Sequence, residues 1–128
     1  MSDIRVLVVD ENPDVVELTK TFLEREDSDL DVRTEQRPHE VIERIPAEDV
    51  DCVVSDFRMP GLDGLELYDR IREPDQVPFF LFTAAQEEEV RESRDSLDVD
   101  GIVQKGTGTD HYAELAQRIR TAVQAKGA

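Results

Sequence analysis

The sequence predicts an α/β domain in which a mainly parallel five-stranded sheet is covered by helices on both faces. Five short runs rich in Val, Ile, Leu and Phe alternate with five segments of helical period, the pattern of repeated βα units. Polar residues directly follow several of these runs, notably Asp10, Asp56 and Lys105. Right-handed crossovers between parallel strands then give a three-layer α/β/α sandwich.

The first βα unit has the clearest boundaries. Residues 5–10 predict the first strand, because the apolar run 6–9 lies between Arg5 and Asp10. Asn12 followed by Pro13 is typical of an N-cap and a first helical position, and apolar residues at helical spacing continue to about residue 26. The unit therefore ends in the polar stretch 27–29.

The second unit is shorter and the third more deeply apolar. Alternation over 30–35 predicts a modest strand near an edge, and Pro38 opens a helix that Pro46 is expected to stop. Residues 50–56 form a near-continuous apolar run, as expected for a strand covered on both faces. The next helix should begin with a capping box of Asp63 and Glu66 and end near residue 73.

The last two units follow the same pattern. A strand over 79–83 precedes a helix from about 87 to 97, whose three opening glutamates are interpreted as solvated groups that complement the helix dipole. A strand over 101–104 precedes a closing helix from 110 to about 125. The inner face of that helix is predicted to carry Tyr112, Leu115, Ile119 and Val123.

Size and composition indicate one soluble domain spanning 1–128. The single cysteine, Cys52, lies in an apolar run, so we expect a core residue and a reducing compartment. No apolar stretch approaches the ~20 residues of a membrane span, and the N-terminus lacks a signal-peptide pattern. These features predict a cytoplasmic protein without a membrane partner.

The charge of the chain argues against direct nucleic-acid binding. The formal net charge is −16, from 31 acidic and 15 basic residues, whereas phosphate backbones require Lys and Arg. Only Lys20, Lys105 and Lys126 are lysines. Acid excess with few lysines is typical of halophilic proteins, because concentrated salt screens the self-repulsion of the chain.

The strand ends together predict a phosphoryl-transfer site. If the strands are parallel neighbours, Asp10, Glu11, Asp56, Thr83 and Lys105 meet in one crevice at the carboxyl edge of the sheet. Crowded carboxylates need a cation, and oxygen ligands suit Mg²⁺. We expect Asp56 to be the nucleophile that accepts a phosphoryl group, with Mg²⁺ held by the three acids. Thr83 and Lys105 would then contact the phosphoryl oxygens.

The chain resembles the receiver domain of two-component response regulators over nearly its whole length. The motifs that carry the resemblance are Val-Leu-Val-Val-Asp10-Glu11, Val-Val-Ser-Asp56-Phe-Arg-Met59-Pro60-Gly61-Leu-Asp63-Gly64, Phe-Leu-Phe-Thr83-Ala84 and Val-Gln-Lys105. The resemblance implies a flavodoxin-like (βα)5 fold with strand order 2-1-3-4-5. It also implies phosphorylation of Asp56 by a histidine kinase or phosphotransfer protein, and adds the backbone carbonyl of Arg58 to the Mg²⁺ ligands.

Three positions depart from the family pattern. Glu11 stands where many receivers carry a second Asp, an exchange that keeps a carboxylate. Ile102 replaces the usual aromatic switch residue, so signal is expected to leave through Thr83 and backbone shifts. Gly106 replaces a proline that often follows the lysine through a cis bond. A cis bond to glycine costs about 3 kcal/mol, so a trans Lys105-Gly106 peptide is predicted.

The leading functional prediction is a non-enzymatic signalling switch that changes partner binding through the face formed by the fourth helix, fifth strand and fifth helix. A phosphatase with an aspartyl nucleophile is disfavoured, because Asn12 and Arg58 stand where a second acid would be needed. A nucleotide or flavin module is disfavoured because no Gly-rich loop follows the first strand. An unphosphorylated docking module stays open.

Several questions stay open at this level. The partner or output domain is unassigned, as is a phosphorylation-dependent homodimer, and the chain is either a stand-alone receiver or part of a longer protein. His39 and His111, at helix starts, are expected to face solvent without a phosphotransfer or metal role.

Overall fold

The structure, a computed structural model, describes residues 4–71, 77–92, 98–106 and 108–127, with side chains to 125. Strands and helices alternate along the chain, and the bounds in order are β1 Ile4–Val9, α1 Pro13–Glu26, β2 Leu30–Glu35, α2 Pro38–Ala47, β3 Cys52–Ser55, α3 Gly64–Ile71, β4 Phe79–Thr83, α4 Glu87–Glu92, β5 Gly101–Gln104 and α5 Asp110–Gly127.

All five strands lie in one parallel sheet with the order β2-β1-β3-β4-β5. The predicted fold class and strand order are therefore confirmed. The strand order reverses between β1 and β3, because β2 lies on one side of β1 and β3 to β5 lie on the other, and this junction forms the crevice in which open α/β sheets bind ligands. Val9 pairs with Ser55 across that junction, so the residues that follow the two strands, Asp10 and Asp56, emerge side by side.

Alternation along the strands divides the core into two layers. In β1, Val6 and Val8 face one layer and Leu7 and Val9 face the other, because successive side chains point to opposite sides of a strand. The first layer packs against α1 and α5, and the second against α2, α3 and α4. Cys52 is fully buried in the first layer, as predicted.

Most element boundaries agree with the sequence, and the differences have local causes. Pro46 does not stop α2, which continues to Ala47. A proline in the last turn removes only its own donor, and the bond from Glu48 N to Arg44 O, at 2.9 Å, still closes that turn. The predicted ends of α3 and α4 near residues 73 and 97 lie outside the described residues.

The third strand is shorter than predicted at both ends. Val50 N donates to Ile45 O at the end of α2, Asp51 N donates to Arg5 O of β1, and the residue-by-residue register with β1 starts at Cys52. At the other end, Asp56 lies one residue beyond β3, where its N–H donates to Val9 O at 3.0 Å. The apolar pattern thus marked a buried segment, and only its centre, Cys52–Ser55, forms the strand.

Three features of the helices confirm sequence predictions. Asn12 caps α1 by accepting a hydrogen bond from Asp14 N, and Asp63 and Glu66 exchange the two bonds of a capping box at 2.8 and 3.1 Å. On α5, Tyr112, Leu115 and Ile119 are buried as expected. In the part of the chain described, no helix is long and apolar enough to cross a membrane.

Candidate functional site

The structure brings Asp10, Asp56 and Lys105 together at the carboxyl edge of the sheet. Lys105 Nζ lies 3.0 Å from Asp10 Oδ2 and 3.9 Å from Asp56 Oδ2. Asp10 reaches this point because it follows β1, and Lys105 because its own N–H continues the pairing of β5 with β4 by donating to Thr83 O at 2.8 Å. Three residues distant in sequence therefore share one set of electrostatic contacts.

Asp56 is held in a position that suits a nucleophile. Its Oδ1 accepts a hydrogen bond from Phe57 N at 2.7 Å, while Oδ2 faces Lys105. Burial raises the pKa of this carboxyl group above its ordinary value, and Lys105 and then a hydrogen bond from Thr83 oppose that shift. The neighbouring charge of Asp10 adds to the increase. The site therefore holds a partly desolvated carboxylate beside one compensating cation.

Thr83 lies at the end of β4 and is 1% exposed. Its Oγ1 accepts a hydrogen bond from Ala85 N at 3.2 Å, which fixes the turn after the strand. The hydroxyl is also close enough to Asp56 to affect the pKa of that carboxyl group. Thr83 therefore lies where the sequence predicted it, at the same edge as Asp56 and Lys105.

Glu11 is positioned differently from the other two acids. Its Oε1 is buried and has no hydrogen-bond partner, although a buried carboxylate oxygen is costly when unpaired. Asp10 Oδ1, by contrast, accepts from Asn12 N at 3.0 Å. A buried carboxylate oxygen without a partner is the chemistry that a hard cation satisfies, so the residue types of the donor set fit Mg²⁺.

The acids nevertheless do not form a closed metal cage. Among the described residues, no group of three or more His, Cys, Asp or Glu side chains is arranged so that it could hold a metal ion. At this site Lys105 pairs with Asp10, one of the carboxylates that the ion would need. Mg²⁺ usually takes only one or two protein carboxylates and keeps several waters, so a closed cage is not required.

A close backbone contact fixes the loop that carries Asp56. Gly64 begins α3, and its N–H donates to Phe57 O at 2.8 Å. A Cβ built on Gly64 would lie 2.4 Å from Asp56 O and 2.7 Å from Leu81 Cδ2. Ser55, which is fully buried, also holds this carbonyl, because its Oγ donates to Asp56 O at 2.8 Å. Sequence reasoning assigned neither residue a role.

The site opens into a cavity of about 340 Å³, and we call this the acceptor cavity. Its lining comprises Asp56, Arg58, Thr83, Ala84, Ala85, Glu89 and Lys105. The side chain of Arg58 forms an ion pair with Glu89 of α4 and thereby connects the β3–α3 loop to that helix. Glu89 was interpreted from sequence only as a dipole-compensating acid, and nothing in the local pattern indicated this distant partner.

The two histidines differ in their surroundings. His39 is exposed, as predicted, but the prediction that His111 faces solvent is wrong. The His111 ring is half-buried and lies 5.6 Å from the Phe82 ring and 4.2 Å from the Tyr112 ring. Burial lowers the pKa of His111, which favours the neutral imidazole. Ile102, which is 8% exposed, packs in the second core layer as an ordinary apolar residue.

Comparison with known families agrees with this architecture. A family model described as response regulator receiver domain matches residues 6–120. Because that match covers most of the chain, the protein belongs to the response regulator receiver domain family, a class of signalling domains of two-component systems.

Curated relatives and solved structures are consistent with that assignment. The chain is 33% identical over 126 residues to the transcriptional regulatory protein TrcR of Mycobacterium tuberculosis and 32% identical over 129 residues to YvrH of Bacillus subtilis. These alignments cover 93% and 94% of this chain but 45% and 49% of the relatives, so the chain spans about half their length.

Structural likeness extends over almost the entire chain. A response regulator receiver domain protein from Clostridium thermocellum superimposes with a TM-score of 0.81 at 18% identity, covering 98% of both chains. The chemotaxis response regulator CheY4 of Vibrio cholerae gives 0.77 at 21% identity, covering 92% of this chain and 99% of that one. At these identities the likeness establishes the fold alone.

Proposed function

We propose that this receiver domain is a phospho-acceptor switch in which Asp56 receives a phosphoryl group from a phosphohistidine. The observation that carries the proposal is the position of Lys105, which contacts Asp10 at 3.0 Å and Asp56 at 3.9 Å at the edge of the acceptor cavity. A carboxylate oxygen of Asp56 attacks phosphorus, the bond from phosphorus to the histidine nitrogen breaks, and the imidazole leaves with that electron pair.

Each residue of the site has a separate role in this transfer. Asp10, Glu11, Asp56 and the carbonyl of Arg58 are proposed to hold Mg²⁺, which when bound would neutralise negative charge between the carboxylate and the phosphoryl oxygens. Lys105 supplies a compact positive charge to one phosphoryl oxygen, and the Thr83 hydroxyl donates to another. Ala84 is small, which leaves room for the group in the acceptor cavity.

The wider assignments follow from this role and stay proposals. We propose that residues 1–128 form a single cytoplasmic receiver domain, with a histidine kinase or phosphotransfer protein as donor. Signal would pass to an effector or output domain through the face of α4, β5 and α5, or through a phosphorylation-dependent homodimer. The transcriptional regulators that resemble the chain over half their length make an output domain the leading form of effector.

Incubation with acetyl phosphate and Mg²⁺ tests the assignment of Asp56. We expect intact mass spectrometry to show one phosphoryl adduct on the wild-type protein and none on the Asp56→Asn variant, because an amide is not a nucleophile for this transfer. The adduct should also disappear when Mg²⁺ is chelated.

The outcomes of this experiment separate the two candidate functions. Asp63→Asn is a suitable control, since Asp63 belongs to the capping box of α3 and not to the lining of the acceptor cavity. This variant should acquire the same phosphoryl adduct as the wild type. A folded wild-type protein that binds Mg²⁺ yet acquires no adduct would contradict phosphorylation and favour an unphosphorylated docking module.

High-salt adaptation is a further part of the proposal. With a net charge of −16, molar KCl should raise the thermal unfolding midpoint by several degrees, because screening weakens repulsion among the excess acids. Exposed ion pairs such as that of Arg91 with Glu87 lose strength in salt but contribute little. Equal midpoints in low and molar KCl, measured by circular dichroism, would refute the adaptation.

A further inference from the structure

The acceptor cavity is lined by two cations with different partners. Lys105 is engaged by Asp10 and Asp56. Arg58 is paired instead with Glu89, although it lines the same cavity as the Asp56 carboxylate. A group added to Asp56 would therefore enter a space that both cations border.

The contact between Arg58 and Glu89 is one that can be exchanged. The two side chains are 66% and 43% exposed, and ion pairs in such surroundings contribute little to stability. The Arg58 guanidinium also lies 5.9 Å from the centre of the Phe57 ring, which gives it a second weak contact within the loop. Neither contact holds the guanidinium firmly against a stronger acceptor.

A phosphoryl group on Asp56 is such an acceptor. It carries roughly −1.5 to −2 charges and three acceptor oxygens, whereas Glu89 carries a single charge. A planar guanidinium binds phosphoryl oxygens through two parallel hydrogen bonds, a geometry that an ammonium cannot provide.

We propose that Arg58 is a second phosphoryl-binding cation, which leaves Glu89 when Asp56 is phosphorylated. This role belongs to the side chain and is separate from that of the Arg58 backbone carbonyl as a metal ligand. The inference rests on the proposed function, because it requires a phosphoryl group on Asp56.

The exchange gives the modified site a route to α4. In the unmodified protein, the pair ties the β3–α3 loop to Glu89 in the first turn of α4. Loss of the pair frees that turn and exposes an additional negative charge on it. Ile102 cannot act as an aromatic switch residue. The loss of the Arg58–Glu89 pair would instead couple phosphorylation of Asp56 to α4.

A double-mutant cycle tests the exchange through binding of beryllium trifluoride, a tetrahedral stand-in for a phosphoryl group on a carboxylate, at fixed Mg²⁺. Arg58→Gln should weaken its binding about fivefold, because one charge-assisted contact is lost. Glu89→Gln should tighten it about threefold, because Arg58 no longer has a competing partner. The double variant should match Arg58→Gln within about twofold.

The double variant distinguishes competition for Arg58 from a general effect of charge. If Glu89→Gln tightens binding equally when Arg58 is already replaced, the carboxylate acts through its charge alone and the inference is overturned. Glu88→Gln is the matched control, since this exposed acid lies on the same helix but does not line the acceptor cavity, and it should change binding by less than twofold.

The readout also separates this inference from the proposed function. Wild-type protein that binds the analogue, together with a cycle in which the two effects simply add, would reject only the role of the Arg58 side chain. Failure of the wild-type protein to bind the analogue with Mg²⁺ present would reject the phospho-acceptor function and the inference together.

Discussion

Replacing Lys105 by methionine is expected to raise the affinity of the site for Mg²⁺ by about tenfold while nearly abolishing phosphorylation. The Lys105 ammonium lies 3.0 Å from Asp10 Oδ2 and therefore competes with Mg²⁺ for this carboxylate. A unit charge about 4 Å from a binding site contributes roughly 4 kcal/mol at an effective dielectric constant of 20, which leaves room for a tenfold effect after screening. Isothermal titration with Mg²⁺ measures it directly.

The same substitution should destabilise the metal-free protein. Asp10 and Asp56 would then be buried beside each other without their cation, at a cost of about 1–3 kcal/mol after allowance for the partial exposure of Lys105. The unfolding midpoint of the variant should therefore depend on Mg²⁺ far more steeply than that of the wild type, because the ion restores the missing charge.

In the metal-free protein, the titration of Asp56 should change in a defined direction. Burial already raises the pKa of Asp56, and Lys105 is the main group that opposes this shift. Without Lys105 the pKa rises further, so the carboxylate form is lost at a higher pH as the solution is acidified. Without Mg²⁺, the Asp56 carboxyl group of Lys105→Met should accordingly become protonated at a higher pH than that of the wild type, which carboxyl-carbon NMR would measure.

Lys20→Met is the control for these measurements. Lys20 pairs with Glu24 at 3.2 Å on α1 and donates to Val32 O, remote from the acids of the site. Its replacement removes the same charge from the chain and should leave Mg²⁺ affinity within about twofold. Equal Mg²⁺ affinities of the wild type and Lys105→Met would show that the ion does not use Asp10.

Gly64→Ala is expected to lower the free energy of unfolding by about 2–3 kcal/mol. The added Cβ would lie 2.4 Å from Asp56 O, 2.7 Å from Leu81 Cδ2 and 3.1 Å from Phe57 Cα. Two of these atoms belong to the backbone and cannot rotate away, so α3 or the β3–α3 loop must shift. Alanine has a higher helix propensity than glycine, so the loss of stability is expected despite a substitution that would otherwise favour the helix.

The displacement should also affect phosphorylation, because the carbonyl that the new Cβ contacts belongs to Asp56 itself. We expect adduct formation from acetyl phosphate to slow together with the fall in stability measured by urea unfolding. Gly106→Ala is the matched control: a Cβ there meets only His111 Nδ1, at 3.9 Å, so the stability should change by less than about 0.5 kcal/mol. Equal stabilities of the two variants would contradict the close approach at Gly64.

Much of this protein could be predicted because its local and global patterns agree. The alternation of apolar runs and helical segments fixed the order of elements, and capping residues such as Asn12 and Asp63 set helix starts by hydrogen bonds within a few residues. The neighbourhood of Asp10, Asp56 and Lys105 followed from the geometry of parallel strands, whose carboxyl ends share one edge.

Which particular side chains of distant segments pair with each other was beyond that reasoning. The pairing of Arg58 with Glu89 and the stacking of His111 on Phe82 depend on how side chains from different elements meet. The need for glycine at position 64 depends on a backbone approach that no periodicity encodes.

By itself, the sequence determined the fold and the identity of the charged groups at the sheet edge, because these depend on short-range hydrogen bonding and on the spacing of apolar residues, and its motifs indicated the family. Only the tertiary structure decided which charges are paired. Lys105 lies against Asp10, Glu11 keeps an unpaired buried oxygen, and Arg58 faces Glu89 across the acceptor cavity. Such pairing depends on distances of a few ångströms between segments that the chain brings together only when it folds.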